Sequence, residues 1–180
     1  MLFKKTVALS IISVLMSTPA MAGDNPGSHQ HGHANLQLAF NDNQVDLLFM
    51  SPAGNLLGFE HKPRTLKQKQ EAGKVAVWLR ESPLINTPES TCRVKAATVH
   101  HQTQDHNHDD GDAHGDQEQH ADIEVTQVLI CPGLNKSAFL TTPVSIHFPA
   151  VEYLDIAWAG PNGQAATRLE YGEHSFRLGR

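Results

Sequence analysis

Residues 100–120 read HHQTQDHNHDDGDAHGDQEQH, and no other stretch limits the fold so strongly. Six histidines, His100, His101, His106, His108, His114 and His120, stand among Asp, Glu, Gln and Gly with no large apolar side chain to bury. Such a segment cannot supply core, because it has little apolar surface to offset the entropy lost on ordering. It is expected as a solvated, flexible loop. What it offers is neutral imidazole nitrogen beside carboxylate, the donor set that suits Zn2+, with Cu2+, Ni2+ or Co2+ able to substitute. Two other readings stand beside metal capture. One is a polar spacer with incidental histidines; the other is a pH sensor, since clustered histidines titrate between about pH 5 and 8.

The two cysteines, Cys92 and Cys131, flank this tract. Residues 92–99 and 123–131 are rich in β-branched side chains with partial alternation, so they read as an antiparallel hairpin whose tip is the loop. Pairing Val99 with Glu124 puts Cys92 opposite Cys131, within disulfide reach at the loop's base. Two free thiols or a Cys/His zinc site are the alternatives.

Residues 1–22 have the form of a secretory signal peptide: Lys4 and Lys5, an apolar run over 7–16, and Ala20-Met21-Ala22 before Gly23. The run is too short to span a membrane. An exported, periplasmic chain follows, and export favours the disulfide. Without the two leader lysines, 12 of the 14 basic residues remain against 19 acidic ones, a formal charge near −7. That balance argues against nucleic acid or an anionic membrane as partner. Residues 23–180 suit a single metal-binding domain.

His29, His31 and His33 recur at every second position before Leu36, Leu38 and Phe40. Carried into a strand, that spacing predicts three imidazoles on one side. Asn41-Asp42-Asn43 then turns the chain into Val45, Leu47 and Phe49, a second strand. Thr65 and Gln68 form a capping box for a helix over 66–80, with Ala72, Val75, Ala76 and Leu79 on one stripe. His61 lies at the helix entry, as fit to be a packed residue as a ligand. After Cys131, the spacing predicts a short helical segment, strands over 151–158 and 164–169, and an edge strand over 175–178. His147 and His174 read as structural. His33-Ala34-Asn35-Leu36-Gln37-Leu38 also resembles His120-Ala121-Asp122-Ile123-Glu124-Val125 in pattern, which suggests two pseudo-symmetric halves joined by the loop.

The fold expected is α+β, with antiparallel sheets, one main helix and one short helical segment; a β-sandwich is the runner-up. His31-Gly32-His33-Ala34, the block SPAGNLLGFEHKPRT over 51–65, the two cysteines around a His/Asp loop, and Gly160-Pro161-Asn162-Gly163-Gln164 together resemble the ZrgA family of periplasmic zinc-uptake proteins. The resemblance covers nearly all of the chain after the leader. It implies zinc capture in the periplasm in the service of an ABC-type or related importer. By position it carries His31 and His33 onto the family's amino-terminal His motif, His61 onto its Gly-Phe-Glu-His motif, and His120 onto the histidine before a second-half strand. A copper or nickel buffer or metallochaperone is the alternative function. A metallohydrolase is the enzymatic one, and no H-E-x-x-H motif supports it.

Overall fold

The computed structural model describes residues 30–103, 121–161 and 163–178. The expected leader, His29, His106, His108, His114 and His120 lie outside the described residues. The elements run β1 (His33–Asn41), β2 (Gln44–Pro52), α1 (Ala53–Leu57), α2 (Leu66–Glu81), β3 (Arg93–Thr103) and β4 (Ala121–Ile130). A 3-10 turn (Leu134–Lys136), β5 (Phe139–Thr141), α3 (Val144–His147), β6 (Tyr153–Gly160), β7 (Gly163–Glu170) and β8 (Ser175–Arg177) complete the chain.

Six strands form one sheet in the order β3-β4-β2-β1-β6-β7, and β5 pairs with β8 in a second, two-stranded sheet. The period-2 alternation sorts the faces. Leu36, Leu38, Val45, Leu47, Phe49, Ile123, Val125, Leu129, Leu154, Ile156 and Trp158 are all buried on one face. Against that face, α2 contributes Val75 and Leu79, while Phe176 of β8 meets Trp158 at 5.6 Å between ring centroids. Gln127, 1% exposed, joins helix to sheet. Its amide donates to the C=O of Leu79 (2.7 Å) and of Ser82 (2.8 Å), and its oxygen accepts the Leu84 N–H at 3.1 Å. These bonds satisfy carbonyls at the C-terminal end of α2 that have no intrahelical partner. At the other end Thr65 and Gln68 make the reciprocal capping box that their spacing predicts.

The class is α+β as expected, in a mixed sheet rather than an all-antiparallel one. β1 and β6 are parallel, with Leu36 level with Ile156. Alternation is the same in either orientation, so the sequence pattern could not set that direction. No sandwich forms among the described residues. The expected edge strand near the C-terminus pairs with β5 and not with the main sheet. Beyond Cys131 the helical content divides between the 3-10 turn and α3. The two segments of similar pattern, β1 and the start of β4, lie on either side of β2 and run the same way, with Leu36 and Val125 both opposite Phe49.

Cys92 and Cys131 form the expected disulfide. Arg93 opposes Ile130 and Val94 opposes Leu129, in the register that the cysteines demand. Lys95 is then a bulge, after which Ala96 opposes Val128 and Val99 opposes Val125. The expected Val99 to Glu124 pairing is thus off by one residue, because one extra residue sits on β3.

Candidate metal centre

Strand directions bring the histidine-bearing segments to one end of the sheet. β1 begins there, β2 ends there, β3 ends there and β4 begins there, with Pro52 level with Asp122 and Thr103 level with Ala121. His31 and His33, the segment leading from α1 to His61, His100, His101 and both attachment points of residues 104–120 therefore share this end. Neighbouring strands are about 4.8 Å apart, so the starts of β1 and β4, with β2 between them, are roughly 10 Å apart.

The His31-Gly32-His33 turn is fastened by the block over 51–65. Gly32 has φ +81°, a left-handed conformation that glycine adopts without steric cost. Its N–H donates to Oδ1 of buried Asn55 at 2.9 Å. The Asn55 amide in turn donates to the His33 C=O at 2.9 Å and to Ser51 Oγ at 3.3 Å. From the other side, the Glu152 and Tyr153 N–H groups donate to the Gly32 C=O at 2.8 and 2.9 Å. Asn55 sits on α1, a single turn closed by Gly58 in the left-handed region. Neither α1 nor the role of Asn55 is among the features that the sequence predicts. The signal in the sequence was an amide set directly before Leu56-Leu57, since an Asn carried into the core with its apolar neighbours needs partners.

The left-handed glycine overturns the expectation of imidazoles on one side. His33 is the first residue of β1, its ring 4.8 Å from that of Tyr153. His31 lies in the turn before it, where strand alternation does not apply, and its Nδ1 is 3.4 Å from Glu60 Oε1. Gly54 leaves room for that carboxylate; a Cβ there would lie 3.1 Å from Glu60 Oε1. His61 stacks on Phe59 at 5.3 Å, and its Nδ1 is 2.8 Å from the Lys62 C=O. A carbonyl only accepts, so the neutral ring carries its proton on Nδ1 and presents the Nε2 lone pair. An imidazole whose Nδ1–H is bonded to an oxygen is oriented for metal ligation through Nε2; His61 has that arrangement, and His31 has a carboxylate at ion-pair distance.

His100 and His101 are on β3, not in a loop, because the ladder continues to Thr103 opposite Ala121. Backbone pairing does not depend on apolar side chains, and composition alone placed the boundary too early. Alternation sends the two rings to opposite faces. His100 opposes Glu124 and is exposed; His101 opposes Ile123 on the helix-covered face, where burial lowers its pKa. His147 stacks flat on Trp78 at 3.8 Å, and the His174 C=O accepts from the Thr142 N–H, so both have structural contacts.

Imidazoles beside a carboxylate are a donor set that fits zinc. Among the described residues, however, no three His, Cys, Asp or Glu side chains converge closely enough to hold an ion. No described helix is long and apolar enough to cross a membrane, and the disulfide fits an oxidising compartment. The family model described as ZrgA family zinc uptake protein matches residues 28–178, and the chain belongs to that family. A search of curated proteins gives no match.

Proposed function

We propose, with membership of this zinc uptake family as the premise, that the chain captures Zn2+ in the periplasm as cargo and passes it to an importer. The observation that supports this reading is the gathering of His31, His33, His61, His100 and His101 at the sheet end from which residues 104–120 depart. His61, held through its Nδ1, and His31, whose Nδ1 lies 3.4 Å from Glu60, are the donors nearest a fixed scaffold. Residues 104–120, with His106, His108, His114 and His120, supply further donors and gather additional ions, and His29 extends the amino-terminal side. Ligands on a fixed scaffold lose less entropy on binding than ligands that must be immobilised for each ion, so the donors held by the sheet end and its turns give the tighter site.

The test is zinc competition against a chromophoric chelator. His31→Ala/His61→Ala should weaken the tightest site at least tenfold, and replacing residues 104–119 by Asn-Gly should remove the weaker ions. If the replacement abolishes tight binding and the double substitution leaves it intact, the tract is the principal site. Preference for copper or nickel over zinc, with protection against those metals in cells, would support the buffer reading, because imidazole sites favour Cu2+ intrinsically.

A further inference from the structure

Helix α2 has a second face that the fold does not use. At 100° per residue, Leu66, Gln70, Gly73 and Val77 fall on one line, opposite the buried Val75 and Leu79. Leu66 is 80% exposed and Val77 48% exposed, an apolar residue near each end of the stripe. Between them Gly73 is exposed, and a Cβ built there would meet nothing within 4 Å. Glycine in a helix interior lowers helix stability, and no neighbour in this fold requires it. Lys69 and Arg80 flank the stripe on one side, Lys67 and Lys74 on the other, all exposed. Lys62 and Arg64 extend the charge ahead of the helix, and Glu71, 3.7 Å from Lys74, is the one acid between residues 61 and 80. The chain as a whole is acidic, and the first turn of α2 has no acidic residue although the helix dipole favours one there.

We propose that this outer face of α2 is a docking surface for an acidic amphipathic helix of a partner protein. Leu66 and Val77 provide apolar anchors, Gly73 lets the partner's backbone approach closely, and the lysine rails pair with its carboxylates. A flat membrane would suit a continuous apolar face, which Gln70 and Gly73 interrupt. The surface starts five residues after His61, so a partner seated there lies beside the metal-bearing sheet end. That it receives zinc rests on the uptake reading above.

The test places a photo-crosslinking amino acid at Gln70 in the full chain, expressed in its cell of origin under zinc limitation, with a control at exposed Gln37. Crosslinking from position 70 to one protein through an acidic helix, lowered at least tenfold by Lys67→Glu/Lys69→Glu/Lys74→Glu, is the expected result. Gly73→Ala should raise the melting temperature yet lower the same crosslink severalfold, a split that a purely structural glycine would not produce. Zinc affinity, measured on each purified variant, should not change. Loss of zinc affinity in the parent chain would defeat the uptake reading without touching the crosslink. No protein crosslink at 70, equal crosslinking at 37, an unchanged crosslink in Gly73→Ala, or cosedimentation with phosphatidylglycerol vesicles that the lysine reversals abolish would each overturn the docking proposal.

Discussion

Asn55 and Gly32 are joined by a 2.9 Å hydrogen bond across 23 positions of sequence, and through it the segment after β2 sets the conformation of the turn before β1. The same side chain bonds the His33 C=O. One amide thus holds the backbone on both sides of the link between His31 and His33.

Asn55→Ala should therefore cost about 2 kcal/mol of stability, since the buried Gly32 N–H and the part-buried His33 C=O each lose this partner. Zinc affinity should fall as the turn loosens. Asn55→Asp should retain the bond from Gly32 but lose the one to His33. Urea denaturation with and without zinc checks both, and an unaltered zinc affinity in Asn55→Ala would separate the turn from the metal centre.

Thiol titration of denatured, unreduced protein should find Cys92 and Cys131 blocked. Reduction should lower stability by about 2–4 kcal/mol, because the bridge restricts the unfolded chain across a separation of 39 residues. Denaturation with and without reductant measures it.

The helix, its capping box, the main hairpins and the disulfide were all readable from the sequence, because each is specified by residues close in the chain or by alternation. What was not readable came from distant pairing. The parallel alignment of β1 with β6, the reach of Asn55 to Gly32 and the contact of Glu60 with His31 leave no periodic trace. The spacing of His31 and His33 promised a strand pair because φ at Gly32 is invisible in sequence. At His100 and His101, polar composition concealed a backbone ladder.

Zinc binding should weaken as pH falls through about 6, as protons compete for imidazole nitrogen. Calorimetry at pH 7.5 and 5.5 tests this, and equal affinities would count against histidine as the main ligand.

Folding stability without metal should also fall with pH, for a different reason. Burial lowers the pKa of His147 below the ordinary 6.5. The unfolded chain therefore binds the proton first, and stability declines as pH drops from about 6.5 toward the folded value. Because His147 lies on Trp78, tryptophan fluorescence should report the titration. His147→Gln should remove that spectral change and flatten the stability profile in this window.

Replacing residues 104–119 by Asn-Gly should leave the fold intact, with Thr103 still opposite Ala121. A replacement beginning at Gln102 would cut into β3 and cost more. Circular dichroism and thermal melting of the two variants distinguish them.

The Lys95 bulge decides which side of the sheet each of two adjacent histidines serves. With the cysteines fixed opposite one another, an unbulged β3 would run one residue out of phase from Ala96 onward, and His100 would oppose Ile123 while His101 opposed Asp122. Drawing Lys95 into the ladder would exchange the two rings, sending the exposed imidazole beneath the helices and the half-buried one into solvent, whereas deleting Lys95 would keep Ala96 opposite Val128 and leave both rings where they are. A single residue, eight positions before the strand's end, acts as the phase setting of the whole arm that carries the histidine tract.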